Sequence, residues 1–197
     1  MNRLQIKPRT LRKSVGILGV SMPVILGVYG RLTSNLQTSI SAYYDTAAGS
    51  VFAGTLFAVG FYLLAYKGYD KTDDILGDIA CVCAISVAVF PHEGWTKLIH
   101  FSAAAILFLT LAAFCYQFTR SNTAPRMRPR GKRRRNAVYW ICGASIILGI
   151  LAIAVSKMAL KSIIPETWPV VFVIETVMLL TFGVSWFVKG SRLPCLR

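Results

Sequence analysis

The chain has 197 residues, of which 55% are hydrophobic and 15% charged, and its 22 basic and 8 acidic residues give a formal charge of +14. Soluble domains have about 25% charged residues, and a core of this size could not enclose six long apolar stretches, so the composition excludes a soluble enzyme. The positive charge is concentrated in short segments, so we expect no nucleic-acid partner.

Six apolar stretches follow one another along the chain, and each is about long enough to cross a bilayer. We therefore predict an all-α fold, a bundle of six transmembrane helices that forms a single domain over residues 1–197. The predicted spans are at about 14–30, 49–66, 75–90, 98–118, 137–156 and 168–188.

Basic residues are concentrated in every second gap between the predicted spans. Most lie before the first span, after the second, after the fourth and after the sixth. Short loops that are rich in Lys and Arg stay in the cytoplasm. The pattern therefore predicts a multi-pass protein of the inner (plasma) membrane with both termini in the cytoplasm. The basic residues that fall in the other gaps are Arg31, Lys97, Lys157 and Lys161.

Residues 119–136 carry the highest density of positive charge. This segment contains Pro125 and Pro129 and has no apolar periodicity, so we predict a flexible cytoplasmic loop. The loop is either a topology signal alone or a contact for anionic inner-leaflet lipids, since each basic residue near such a surface contributes about 1 kcal/mol. The candidate lipid contacts are Arg126, Arg128, Arg130, Lys132, Arg133, Arg134 and Arg135.

Small residues and aromatic residues suggest how the spans pack. In the third span, small residues recur every three or four positions, which predicts a close helix contact. The small residues are Gly77, Ala80, Ala84 and Ala88. The tryptophans lie near predicted span ends, as expected for rings at the headgroup level. They are Trp95 and Trp168 outside, and Trp140 and Trp186 inside. In the first outer gap, Leu32, Leu36 and Ile40 have a four-residue spacing that suggests a short interfacial helix.

The predicted topology brings several polar residues to the outer face of the membrane. Both histidines of the chain are there, together with the carboxylates of Glu93 and Glu166. They suggest an outward polar pocket for a headgroup or a small solute. Imidazole with carboxylates is also a plausible zinc site, although no H-x-x-x-H or H-E-x-x-H spacing is present. The candidate residues for either site are Asp45, His92, His100 and Glu175.

Glu175 raises a specific question because it lies within the sixth span. It follows Trp168 by seven residues, which places it about 10 Å deep in a helix. It must face protein or water, and it serves either a buried structural hydrogen bond or a functional role. We predict that Glu175 meets a polar group of another span, with His100 the favoured partner.

Residues 38–115 resemble a family of small, uncharacterised bacterial multispanning proteins. The resemblance implies an inner-membrane protein. Members of that family often carry His at the position of Asp45, so the chain departs from the family there. The matching stretches are SISAYYDT, FAGTLFAVGFYLLAYKGYD, DDILGDIACVCAISVAVFP and HFSAAAILFLTLAAFC.

Two classes of function follow from these observations. The first is a membrane protein without enzymatic activity or a cofactor, which uses the outward pocket for transport, sensing or assembly. The second is a metal-dependent lipid or amide hydrolase that holds zinc with Asp45, His92, His100 and Glu175. Both have the lipid bilayer as partner, and both are compatible with a homo-oligomer.

Overall fold

The computed structural model describes residues 7–68, 70–120, 129–160, 162, 163, 165 and 167–191. Within these residues the structure is helical and has no strand. Two short 3₁₀ helices, Ser41–Asp45 and Gly94–Thr96, lie between longer helices. The α-helices are α1 Pro8–Leu32, α2 Gly49–Ala65, α3 Lys71–Val89, α4 Lys97–Arg120, α5 Pro129–Met158 and α6 Val170–Gly190.

The all-helical prediction is confirmed. The helices differ in length and hydrophobicity, and therefore in whether they could cross a membrane. Four helices among the described residues, α1, α4, α5 and α6, are long and apolar enough to cross a bilayer. The shorter α2 has 17 residues, and α3 begins with charged residues in its first turns, Asp73 and Asp74 among them. These lengths and compositions are those of a helical membrane protein.

Each helix packs against the next along the chain, and α6 packs against α1, so the six helices form a closed ring. Contacts between helix starts and helix ends show that neighbours are antiparallel. For example, Gly190 at the end of α6 lies against Lys13 near the start of α1. One end of the bundle therefore contains Pro8, Ala65 and Arg120, and we call it the basic end. The opposite end contains both histidines, and we call it the histidine end.

Small residues allow two pairs of helices to approach closely. In α3 the predicted packing face is confirmed, since Ala80, Ala84 and Ala88 are buried. A Cβ at Gly60 of α2 would lie 3.4 Å from the Cβ of Ala84. At the α1–α6 contact, a Cβ at Gly183 would lie 2.7 Å from the carbonyl oxygen of Gly16, so this position admits only glycine without a shift.

An aromatic cluster fills the ring near the basic end. Trp186 is fully buried, and its ring centroid lies 4.9 Å from that of Tyr66, 5.2 Å from that of Phe114 and 5.2 Å from that of Phe118. The prediction that Trp186 marks a membrane boundary is therefore wrong, because its side chain points into the bundle. Trp95, Trp140 and Trp168 are exposed, as expected for boundary residues.

Two loop predictions are also wrong. The segment 119–136 is not wholly a loop, because α4 continues to Arg120 and α5 begins at Pro129. Proline is well suited to a first helical turn, where its missing N–H removes no helical hydrogen bond. Between the end of α1 at Leu32 and the start of α2 at Gly49, the chain forms the 3₁₀ helix Ser41–Asp45, and the spacing of Leu32, Leu36 and Ile40 does not correspond to a helix of its own. Ile40 is buried against the bundle, while Leu32 is 82% exposed.

Candidate functional site

His100 is the most constrained polar residue at the histidine end. It lies in the first turn of α4 and is fully buried. Its Nδ1 is 2.8 Å from the carbonyl oxygen of Phe90, the residue that follows α3. A neutral imidazole that faces a carbonyl with Nδ1 carries its proton there and keeps a lone pair on Nε2. Among the described residues, Nε2 of His100 has no hydrogen-bond partner.

A second imidazole, that of His92, is more exposed than His100 and is flanked by two carboxylates. The Nδ1 of His92 is 3.8 Å from Asp45, and its Nε2 is 3.9 Å from Glu93. One ligand atom from each of these three residues lies within 4.8 Å of the other two. The carboxylates are exposed, whereas the side chain of His92 is only 18% exposed. The cluster therefore places a half-buried imidazole beside two solvent-facing carboxylates.

The connection between α3 and α4 presents these side chains in a fixed turn. Gly94 has a φ of +62°, a conformation that glycine adopts without steric cost. The hydroxyl of Thr96 donates to the carbonyl oxygens of Pro91 and Glu93, at 2.9 and 3.0 Å. These bonds hold His92 and Glu93 over the start of α4.

The two histidines lie side by side, with ring centroids 6.0 Å apart. The ligand atoms that lie within 4.8 Å of one another are those of Asp45, His92 and Glu93, and imidazole with carboxylates is the kind of donor set that binds zinc and related divalent ions. Histidines that bind metals usually donate their other N–H to a carbonyl or carboxylate, which fixes the tautomer. The bond from His100 to Phe90 has this form.

Glu175 does not belong to this cluster, and its predicted pairing with His100 is wrong. Its Oε2 accepts a hydrogen bond of 2.7 Å from the backbone N–H of Ile40. A second bond joins the same segments, since the N–H of Phe172 donates to the carbonyl of Thr38 at 2.9 Å. Glu175 thus anchors the segment that leads into Ser41–Asp45. The structural hydrogen bond, one of the two roles expected for this residue, is the one observed.

The anchored segment is also held by aromatic packing. Tyr43 is fully buried, and its ring centroid lies 5.9 Å from that of Phe172 and 6.3 Å from that of Tyr29. Burial raises the pKa of the Tyr43 phenol, so the hydroxyl stays protonated. The backbone of this segment carries Asp45 toward His92, and Glu175 therefore contributes to the cluster by positioning the segment.

A second polar centre, at the basic end, was not foreseen from the sequence. Arg12, Asp73 and Lys189 are buried there, with exposed fractions of 9%, 4% and 6%. The Arg12 guanidinium lies 5.3 Å from the Tyr66 ring centroid, and the Lys189 ammonium lies 5.0 Å from that of Phe118. Sequence reasoning treated Arg12 and Lys189 as topology charges. The signal it overlooked is that Lys189 follows Trp186 by three residues, which places both on one helix face.

The candidate lipid contacts of the basic segment have different outcomes. Lys132, Arg133 and Arg134 are exposed. Arg135 is not available as a lipid contact, because its guanidinium donates to the carbonyls of Val188 and Ser191. The positive charge of Arg135 caps the carbonyl groups at the end of α6 and interacts favourably with the negative end of the helix dipole. Arg130 lies in the first turn of α5, and only its backbone is described. Arg126 and Arg128 lie outside the described residues, as does Glu166.

The described residues form two grooves, among others, on the sides of the bundle. One lies between α1 and α6, has a volume of about 500 Å³ and includes Arg31 and Thr176. The other lies between α4 and α5, has a volume of about 550 Å³ and includes Tyr116 and Trp140. Neither groove is lined by Asp45, His92, His100 or Glu175. The expected outward pocket of these four residues is therefore not one of these two grooves.

No protein-family model matches the chain, and comparisons with curated proteins and with solved structures found no significant similarity. The resemblance of residues 38–115 to bacterial multispanning proteins therefore stays a prediction.

Proposed function

We propose that this protein is a multispanning membrane protein that binds one divalent transition metal ion, with zinc favoured, at its histidine end. The observation that carries the proposal is the buried Nε2 of His100. It is left as an acceptor by the bond between Nδ1 and Phe90, and it has no partner among the described residues. The proposed ligands are His100, His92, Asp45 and Glu93.

The chemistry of the site supports a metal ion over a neutral ligand. A buried nitrogen acceptor without a hydrogen bond costs about 1–3 kcal/mol, and a metal ion that binds the lone pair removes this cost. Asp45 and Glu93 are exposed, so their side chains can rotate toward the ion. Two carboxylates would neutralise its double charge. In this set Glu93 takes the place that the sequence analysis gave to Glu175.

The position of the site favours a structural or sensing role. An ion bound there would link three parts of the chain: the helix Ser41–Asp45, the connection after α3, and the start of α4. Binding would therefore stabilise the arrangement of α2, α3 and α4, and the bound and free states would differ in the mobility of this end.

We further propose that all six helices cross the inner membrane and that the basic end faces the cytoplasm. The closed ring places α2 and α3 beside helices that are apolar enough to span. The 17 residues of α2 are at the lower limit of length for a membrane helix. The arginines and lysines at the basic end agree with the positive-inside rule. The proposed metal site then faces the outside.

Metal binding by the purified protein tests the proposal. The protein is stripped with a chelator, returned to metal-free detergent buffer and titrated with Zn²⁺ against a chromophoric chelator. We expect one ion per chain. The variants His92→Ala and His100→Ala should each lower the affinity at least tenfold. An absorption spectrum with Co²⁺ in place of zinc reports whether nitrogen ligands are present.

Asp78→Asn is the matched control, because Asp78 is an exposed carboxylate on α3 away from the histidine end. Its affinity for Zn²⁺ should equal that of the unchanged protein. A protein that binds no zinc, or that binds it equally well after either histidine is replaced, would disprove the metal site.

A metal-dependent lipid or amide hydrolase is a second candidate, favoured by the exposed carboxylates beside the proposed ion. A carboxylate near a metal-bound water can act as a general base. In that case Glu93→Gln should abolish hydrolysis of a lipid or amide substrate while reducing zinc affinity less than His100→Ala. Absence of any hydrolysis by the zinc-loaded protein, over a panel of phospholipids and N-acyl amides, would leave the structural or sensing role.

A further inference from the structure

The groove between α4 and α5 has the shape of a site for an acyl chain. Its volume is about 550 Å³ and it opens on the side of the bundle. Small residues form its floor, where a Cβ at Gly143 would lie 3.3 Å from the Cβ of Cys115. Its walls are apolar, and several wall residues are exposed, Leu109 and Leu148 among them. The lining residues are Leu109, Ala112, Ala113, Tyr116, Tyr139, Trp140, Gly143, Ala144, Ile147 and Leu148.

Aromatic residues line this groove near the basic end. The rings of Tyr116 and Trp140 meet edge to face, with centroids 5.6 Å apart. Trp140 is 58% exposed and Tyr116 is 48% exposed. Amphipathic rings of this kind lie at the level of lipid headgroups. The groove therefore runs from the headgroup level into the apolar layer.

Cations lie beyond the aromatic pair on both helices. The Arg120 guanidinium is 5.9 Å from the ring centroid of Tyr116. On α5, Arg133 precedes Trp140 by seven residues, so the helical period places both on the same face. Arg133 is exposed. Neither α4 nor α5 contains an Asp or a Glu residue. This end of the groove is positively charged, without an acidic residue on either helix to neutralise it.

We infer that the α4–α5 groove binds one anionic glycerophospholipid, with an acyl chain along the groove and the phosphate between Arg120 and Arg133. A guanidinium group can donate two parallel hydrogen bonds to two oxygens of one phosphate, which gives both affinity and a defined orientation. The site is distinct from the proposed metal site, since the two lie at opposite ends of α4. The groove is apolar along its length and has two arginines at one end. This combination matches an anionic lipid better than a zwitterionic one.

Binding can be measured by native mass spectrometry or by fluorescence of Trp140 in detergent, with phosphatidylglycerol and phosphatidylcholine of the same chain length. We expect phosphatidylglycerol to bind at least fivefold more tightly, with one lipid per chain saturating the preference. The double variant Arg120→Gln/Arg133→Gln should lose this preference. Inorganic phosphate should displace no more lipid than chloride does at equal ionic strength.

A second variant tests the groove itself. Ala144 is exposed and lines the groove, so Ala144→Phe should fill the groove without disturbing the bundle, and lipid binding should fall at least fivefold. The control is Ala154→Phe, also exposed on α5 but outside the groove, which should bind lipid normally. Equal binding of both lipids, unchanged binding by the Ala144 variant, or displacement by free phosphate would each overturn the inference.

Discussion

Glu175 is a polar residue in an apolar stretch whose observed role is structural, since it forms a hydrogen bond with the backbone. Its carboxylate accepts the N–H of Ile40, a backbone donor that would otherwise be buried without a partner. By fixing this segment, Glu175 determines where Asp45 meets His92. The same residue therefore explains both the docking of the loop and the geometry of the proposed metal site.

Replacing Glu175 should separate hydrogen bonding from charge. In Glu175→Gln the side-chain oxygen can still accept from Ile40, so we expect little loss of thermal stability. In Glu175→Ala the backbone N–H of Ile40 loses its partner, and stability should fall by about 1–3 kcal/mol. Unfolding in detergent measures both. If the Gln variant is as unstable as the Ala variant, the residue acts through its charge and the structural explanation fails.

Asp73 should matter for stability because it is a buried acid that interacts electrostatically with the buried Lys189. Lys189 is in electrostatic range of Arg12, Arg135 and Asp73, so Asp73 supplies negative charge to a positively charged cluster. Removing one partner of a buried ionic group costs about 3–5 kcal/mol, and we expect a loss of this size for Asp73→Asn in thermal unfolding. Asp78→Asn, at an exposed position of the same helix, should change stability by less than about 0.5 kcal/mol.

At the scale of the elements, the hairpin of α2 and α3 depends on small residues. Gly77 lies so close to α2 that a Cβ would collide with the carbonyl of Leu63. Ala84, about two turns further along the same face of α3, is fully buried. This close approach gains dispersion contacts that lipid does not supply. It also explains how the short α2 and the partly charged α3 fit into the ring.

Enlarging this face should disturb the hairpin. Ala84→Leu adds volume where no space exists, and overpacking costs about 1–3 kcal/mol. The control Val82→Leu is on the same helix, and Val82 is 65% exposed, so its effect should be small. Thermal unfolding of the two variants under identical detergent conditions is the measurement. Similar losses at both positions would mean that Ala84 does not lie at a close helix contact.

At the scale of the whole molecule, the closed ring sorts polar groups to its two ends. Arginine and lysine dominate one end, and both histidines lie at the other. The metal proposal and the lipid proposal therefore concern opposite membrane surfaces. A hairpin of α2 and α3 that crosses the bilayer returns the chain to the side where α1 ended, so the side that each site faces is set by the direction of α1 and α4.

Cysteine labelling tests the six-span arrangement. In a variant without native cysteines, Lys67→Cys reports the connection between α2 and α3, and Trp95→Cys reports the connection between α3 and α4. Lys67 and Trp95 are exposed, with 69% of the Lys67 side chain accessible. An impermeant thiol reagent should label position 95 in intact cells and position 67 only after permeabilisation. Labelling of position 67 from outside would show that the α2–α3 hairpin does not cross.

The helical class and the approximate position of every long helix were predictable from the sequence alone, because an apolar run of 16 or more residues has few stable alternatives in a bilayer. The small-residue face of α3 was predictable for a similar reason, since its spacing follows the helical period. The segment 119–136 was misjudged because charge and proline were taken to exclude a helix, whereas Pro129 begins one.

Only the tertiary structure decided which polar groups meet. The sequence placed Asp45, His92, His100 and Glu175 on one face, but the distances between them depend on how the helices are ordered around the ring. That order brings His92 to Asp45, and it brings Glu175 to the backbone of Ile40. It also turns Trp186 and Lys189 inward. Contacts between residues far apart in the chain have no local periodicity, so no pattern within one segment could have revealed them.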